Sequence, residues 1–143
     1  MRRITAISFV IVAAVLPGIG SLTLAAPQEE GEHVKVLSTY DVKEKLDGKD
    51  AAMTMVEVSF DPGGAGSPHR HPGPAFVYVV EGTYELGIDD QPTRIYKAGD
   101  TFQEPSGCLH RVSRNASSTE KARLIACILH ARDAKDILVP EVR

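Results

Sequence analysis

From residue 34 onward, apolar and polar positions alternate in short runs. Such runs occupy residues 34–42, 52–60, 75–80, 84–88, 93–96, 109–112 and 122–130. Asp61-Pro62-Gly63-Gly64, Asp89-Asp90-Gln91-Pro92 and Ala98-Gly99-Asp100 punctuate them as turns, because Gly, Pro and Asp supply the backbone conformations that turns require. A period of two with β-branched and aromatic enrichment, broken every 8–12 residues or so, predicts an all-β sandwich or barrel. Residues 43–49 are expected to add at most one helical turn.

The first 26 residues break this pattern. A basic start, Met1-Arg2-Arg3, leads into an apolar run from Ile4 to Leu16. Small residues ending in Ala25-Ala26 close the segment. Charge, apolar run and small-residue cleavage site together predict a secretory signal peptide, cut after Ala25 or Ala26. The 23 residues from 4 to 26 are long enough to span a bilayer. Pro17, Gly18, Gly20 and Ser21 in their second half argue against an anchor, and no Cys follows for lipidation. The expected product is periplasmic or secreted, with residues 27–33 as a flexible tail and 34–143 as one domain.

Charge narrows the partners. The 143-residue chain carries 16 Lys and Arg against 19 Asp and Glu, for a net charge of −3. Removing residues 1–26 takes two arginines and brings this to −5. A mildly acidic chain with no basic arm and no pair of DNA-reading helices is not built for nucleic acid. The two cysteines, Cys108 and Cys127, are too few for a disulfide scaffold, although an exported chain permits a single Cys108–Cys127 bond.

Three of the five histidines carry the chemistry. His69 and His71 are two apart, so in extended chain both imidazoles lie on one face. His110 follows the turn Pro105-Ser106-Gly107 and starts the next strand. Gly63, five residues, His69-Arg70-His71, three residues, Ala75, six residues and Gly82 resemble the first motif of the cupin superfamily. Gly99, five residues, Pro105-Ser106-Gly107, two residues and His110 resemble the second. The resemblance implies a cupin conserved double-stranded β-barrel, a small jelly roll of two antiparallel sheets. It also implies that His69, His71 and His110 bind one divalent transition metal inside it. Neutral imidazole suits Zn, Cu, Fe and Ni, Mn stays open as a fifth identity, and three ligands leave positions open to water or substrate.

The sequence departs from the motif at Ala75, where the family usually places a fourth, glutamate ligand. Three outcomes stand open: a three-histidine site, a site with a substitute carboxylate, or an empty binding barrel. Glu104 is the candidate substitute. It shares a strand face with Phe102, a face that looks into the barrel in similar proteins, and a buried carboxylate there needs a partner. It serves as ligand, as orienting partner of a histidine or as general base; alternatively the strand ends at the rim and Glu104 is solvated. Arg70 is expected to point away from the metal, Gln103 outward, and Phe76 and Tyr78 toward core or a subunit interface. His33 and His130 are expected to be incidental, in the tail and at the surface. The Asn115-Ala116-Ser117 sequon is discounted because the signal peptide looks bacterial.

The resemblance therefore implies an exported cupin with a mononuclear three-histidine metal site. An enzyme on a small oxygen-rich molecule, dioxygenase-like, comes first; a non-catalytic module for a metal or small ligand is the alternative. Cupins commonly pair, so a homodimer is expected.

Overall fold

The computed structural model describes residues 30–141. The expected signal peptide and residues 27–29 of the expected tail lie outside them. Ten strands follow one another: β1 (Glu32–Leu46), β2 (Lys49–Phe60), β3 (His69–Arg70), β4 (Ala75–Glu81), β5 (Thr83–Ile88), β6 (Arg94–Lys97), β7 (Thr101–Glu104), β8 (His110–Asn115), β9 (Ala122–Ala131) and β10 (Val139–Pro140). There is no helix among the described residues. The strands form two five-stranded antiparallel sheets, one in the order β1-β2-β9-β4-β7 and the other in the order β10-β3-β8-β5-β6.

The period-two pattern decides what each sheet buries. Along β9, Ala122, Leu124, Ala126, Ile128 and His130 point inward in strict alternation. Val56, Phe60, Val77 and Val79 line the same sheet's inner face, and Tyr84 and Leu86 face them from the other sheet. Phe60 and Tyr84 pack with ring centroids 5.7 Å apart, and Tyr84 stacks on Phe102 at 5.8 Å. Fully burying side chains of this size contributes about 1.5–3 kcal/mol each, so the aromatic end of the barrel anchors the two sheets.

Several expectations need correction. Residues 43–49 form no helical turn. β1 continues to Leu46 and turns into β2 through Asp47-Gly48, with φ of 49° and 79°. Positive φ at both central residues makes the two-residue hairpin whose twist matches the flanking strands, and Asp-Gly suits it because Gly meets no steric penalty there. The tail stops short of residue 33. Glu32 and His33 already pair with Phe60 and Ser59, and His33 Nε2 lies 3.0 Å from Asp61 Oδ2.

His130 is not on the surface. It is buried, donates from Nδ1 to the Ala131 carbonyl (2.8 Å) and accepts at Nε2 from the Thr54 hydroxyl (2.9 Å). The Thr39 hydroxyl in turn donates to Thr54 Oγ1 at 3.0 Å, so a chain of three side chains satisfies an imidazole inside the sheet. Cys108 and Cys127 are both free thiols. Strand parity keeps them apart, since Cys127 points away from the core between inward Ala126 and Ile128 while Cys108 is buried in the turn before β8. Asn115 is buried and its amide donates to the Asp61 and Glu120 carbonyls (3.0 and 2.7 Å), so in the folded chain the sequon nitrogen is already engaged.

Candidate metal centre

β3 and β8 are neighbours, and their register places His69 directly opposite His110. His71 follows just beyond β3, on the same face as His69. The three ring centroids lie 4.6–5.0 Å apart, and one nitrogen from each ring falls within 4.8 Å of the others. All three come from one wall of the barrel, as the i, i+2 spacing implies.

Backbone carbonyls set two of the rings. His69 Nδ1 donates to the Ser67 carbonyl at 2.8 Å, and His71 Nδ1 donates to the Ile137 carbonyl at 2.6 Å. Each bond places the proton on Nδ1 and turns the Nε2 lone pair toward the centre, the arrangement in which a histidine ligates. Gly73 keeps the loop behind His71 close to β9. A Cβ there would lie 1.8 Å from the Leu129 carbonyl oxygen, so no other residue fits.

Glu104 reaches the same point from the opposite sheet. It sits at the end of β7, and its register partner on β4 is Ala75. The residue that lacks a carboxylate is thus directly across from one that has it. Glu104 is 4% exposed, so it is no solvated rim residue. Its Oε2 lies 3.4 Å from His110 Nε2 and 3.7 Å from His71 Nε2. Two ligand atoms each about 2.1 Å from one ion stand about 3–4 Å apart, so these separations suit donors sharing a cation.

The electrostatics agree. Burial pushes all three imidazoles down, His71 to about 4 and His110 to about 2, with the neighbouring histidines adding to the effect at both. They are neutral at pH 7, as metal ligands must be. Burial pushes the Glu104 carboxyl up to about 8. His110 Nε2 is buried with no hydrogen-bond partner, and an unsatisfied buried polar atom costs about 1–3 kcal/mol. A cation between His110 and Glu104 relieves both costs at once, so the donor set fits a divalent transition metal.

The centre opens on a cavity lined largely by apolar side chains. Apolar side chains such as Val56, Val77, Leu124 and Ile128 form most of its wall, and Ile137 and Leu138 of the C-terminal segment complete it. Tyr84, whose hydroxyl donates to Ser113 Oγ at 2.9 Å, lines the inner end. The remaining expected residues fall outside. Gln103, Phe76 and Tyr78 face outward. Arg70 also points away, to Glu141 and the Gly107 carbonyl. The contribution of the C-terminal segment was not legible in the sequence. Its one signal was Arg70, a cation between the two histidines that needed an acceptor.

The model of the cupin domain family matches residues 56–128, just over half of the chain. The chain belongs to the cupin family. The matched stretch of this cupin contains all three histidines and Glu104. The chain is 33% identical over an 81-residue alignment to germin-like protein 5-1 of Oryza sativa subsp. japonica. It is 31% identical over the same length to germin-like protein subfamily 2 member 2 of Arabidopsis thaliana. In each case the aligned stretch covers 52% of this chain and 37% of the relative. Among solved structures, oxalate oxidase superposes with a TM-score of 0.57 at 26% identity, covering 84% of this chain and 58% of that one. The polyketide cyclase RemF of Streptomyces resistomycificus superposes at 0.60 with 20% identity, covering 84% and 78%; that likeness speaks for the fold alone.

Proposed function

We propose that this cupin is an exported enzyme whose mononuclear transition-metal centre is held by His69, His71, His110 and Glu104 and acts on a small oxygen-rich molecule. One observation carries the reading: the partnerless buried Nε2 of His110 faces a buried carboxylate, beside two histidines whose Nδ1 protons are tied back. When bound, the metal supplies a Lewis acid that binds and polarises a substrate oxygen. His69 and His71 hold their lone pairs on that point through the Ser67 and Ile137 carbonyls. As a ligand through Oε2, Glu104 would remove one unit of positive charge; left off the metal, it would instead serve as a base. The apolar wall keeps bulk water out and strengthens each of these interactions. The likeness to oxalate oxidase, also solved in complex with the substrate analogue glycolate, supports small oxygen-rich substrates; dioxygenase-like chemistry on iron or copper is the leading form of this proposal and rests on the imidazole donors.

Export rests on residues 1–26. Pairing rests on the outer face of the first sheet, where Phe76 and Tyr78 are half-exposed beside Ile125 and Cys127 around a groove; a homodimer through this face would cover them. Ala75 favours a second reading, a non-catalytic module that holds a metal or small ligand. Mass-spectrometric metal analysis of the exported chain from residue 27, beside a His69→Ala/His110→Ala control, tests the centre. About one equivalent of a single transition metal, lost in the folded control, is expected. Less than about a tenth of an equivalent, unchanged in the control and not restored by adding iron, copper, zinc, nickel or manganese, refutes the metal centre. Turnover of oxalate, glycolate and related small acids by the loaded protein separates enzyme from module.

A further inference from the structure

We propose that residues 136–141 are a positioning strap, which fixes the His71 ring from outside the metal-binding motifs and, through Ile137, favours small ligands at the centre over bulky ones. The proposal rests on the metal-centre reading.

The strap is tied to the ligands at each step. β3, which carries His69, is only two residues long and pairs with β8 through a single register pair. Its other edge is covered by β10, with Val139 opposite Arg70 and Pro140 opposite His69. The Glu141 amide donates to the Pro68 carbonyl at 3.0 Å. The Arg70 guanidinium forks onto Glu141, Nε to Oε2 at 3.0 Å and Nη2 to Oε1 at 3.3 Å, while its Nη1 donates to the Gly107 carbonyl at 2.8 Å. Gly107 in turn donates its amide to the His71 carbonyl at 3.1 Å. One side chain therefore joins the strap to the turn that delivers His110.

The link to His71 is chemically specific. His69 takes its orientation from Ser67, two residues away, whereas His71 takes it from the Ile137 carbonyl, 66 residues away. A histidine without that acceptor is free to move its proton between the ring nitrogens, and only one of the two forms presents Nε2 to the centre. Partners of this kind change metal affinity about 10–100-fold when lost. The Ile137 side chain meanwhile packs on the core and, with Leu138, lines the cavity. Ile137 thereby narrows the space beside the centre, which favours small ligands over bulky ones.

The test uses the full exported chain in three variants: Glu141→Arg, Arg70→Glu/Glu141→Arg and Ile137→Ala. In the metal-free protein, nitrogen-15 NMR of the imidazoles is expected to show His71 protonated at Nδ1. Glu141→Arg is expected to mix the two forms, and the charge-swapped double variant to restore the first. With cobalt(II) as the probe, Glu141→Arg is expected to bind at least about tenfold more weakly, with recovery in the double variant. Azide is expected to shift the visible spectrum of the cobalt-loaded wild type and of Ile137→Ala, whereas benzoate shifts only Ile137→Ala. An unchanged His71 proton position in Glu141→Arg overturns the positioning role. Benzoate binding equally to wild type and Ile137→Ala overturns the size limit. Failure of cobalt to load through His69 and His110 overturns the metal centre itself and with it the size limit, while the NMR result still decides the positioning role.

Discussion

Glu104→Gln separates a carboxylate kept for a cation from one kept for stability. Glutamine has nearly the same shape, so no cavity opens and the change is confined to charge and protons. In the metal-free protein the Glu104 carboxyl is raised from its ordinary 4.5 to about 8 by burial. A group raised in this way contributes stability that is present below pH 4.5 and lost as pH rises through 8. At 1.36 kcal/mol per unit, the wild type gives up less than about 1 kcal/mol at pH 5 and about 3 kcal/mol at pH 7 relative to a neutral side chain. The histidines, pushed down by burial, act in the opposite sense. Their contribution is complete above pH 6.5 and is lost as pH falls, but it is common to both proteins and cancels in the difference.

The glutamine amide can also donate to the orphaned His110 Nε2. In chelator at pH 7, Glu104→Gln is therefore expected to melt about 10 °C above wild type, at about 4 °C per kcal/mol for a domain of this size, with a smaller gap at pH 5. Metal should reverse the order. A thousandfold excess over the dissociation constant stabilises the wild type by about 4 kcal/mol, and the variant, lacking the charged donor, should gain much less. Thermal melts of both proteins at pH 5 and 7, with and without metal, give the four values needed. A variant that melts at or below the wild type in chelator at pH 7 would refute the reasoning, because Glu104 would then be stabilising by itself.

Three further outcomes follow from the packing. Thr54→Val leaves His130 Nε2 and the Thr39 hydroxyl without their shared partner, and denaturant unfolding should register a loss of about 1–3 kcal/mol; no loss would mean that the three side chains do not act together. Gly73→Ala drives a Cβ into the Leu129 carbonyl, so the loop carrying His71 must move. A stability cost of about 1–3 kcal/mol should be accompanied by weaker metal uptake, measured by titration. Cys108, buried and pushed up to about 11 chiefly by that burial, should react slowly with a thiol reagent in the native protein. Two thiols should titrate after unfolding without reductant, and a count of zero would restore the disulfide.

Local chemistry made the strands and the three histidines legible. Alternation with a period of two is a property of extended chain, so Glu104 could be placed on the face of Phe102 and opposite to Gln103 in β7, whereas His130 of β9 was expected at the surface and lies inward. The His69-Arg70-His71 spacing and the turn before His110 place the three imidazoles through backbone geometry that needs no distant partner. The Asp47-Gly48 hairpin was also written locally, in a dipeptide suited to positive φ, but the charged run around it resembles a helical turn when the pairing partner β2 is left out.

What tertiary structure alone decided were the relations between strands distant in sequence. His130 has the composition of a strand end, and only the approach of Thr54 and Thr39 makes its burial tolerable. Whether Glu104 was rim or interior depended on the β4–β7 register, which sets it opposite Ala75 and delivers a carboxylate to the histidines from the facing sheet. The bond from His71 to the Ile137 carbonyl depended on a return of the chain after β9 that no periodicity encodes. Sequence alone established which residues share a face, because that follows from the covalent repeat of the backbone. Which faces meet is settled by burial and hydrogen-bond satisfaction summed over the whole barrel, and that sum is available only to the folded chain.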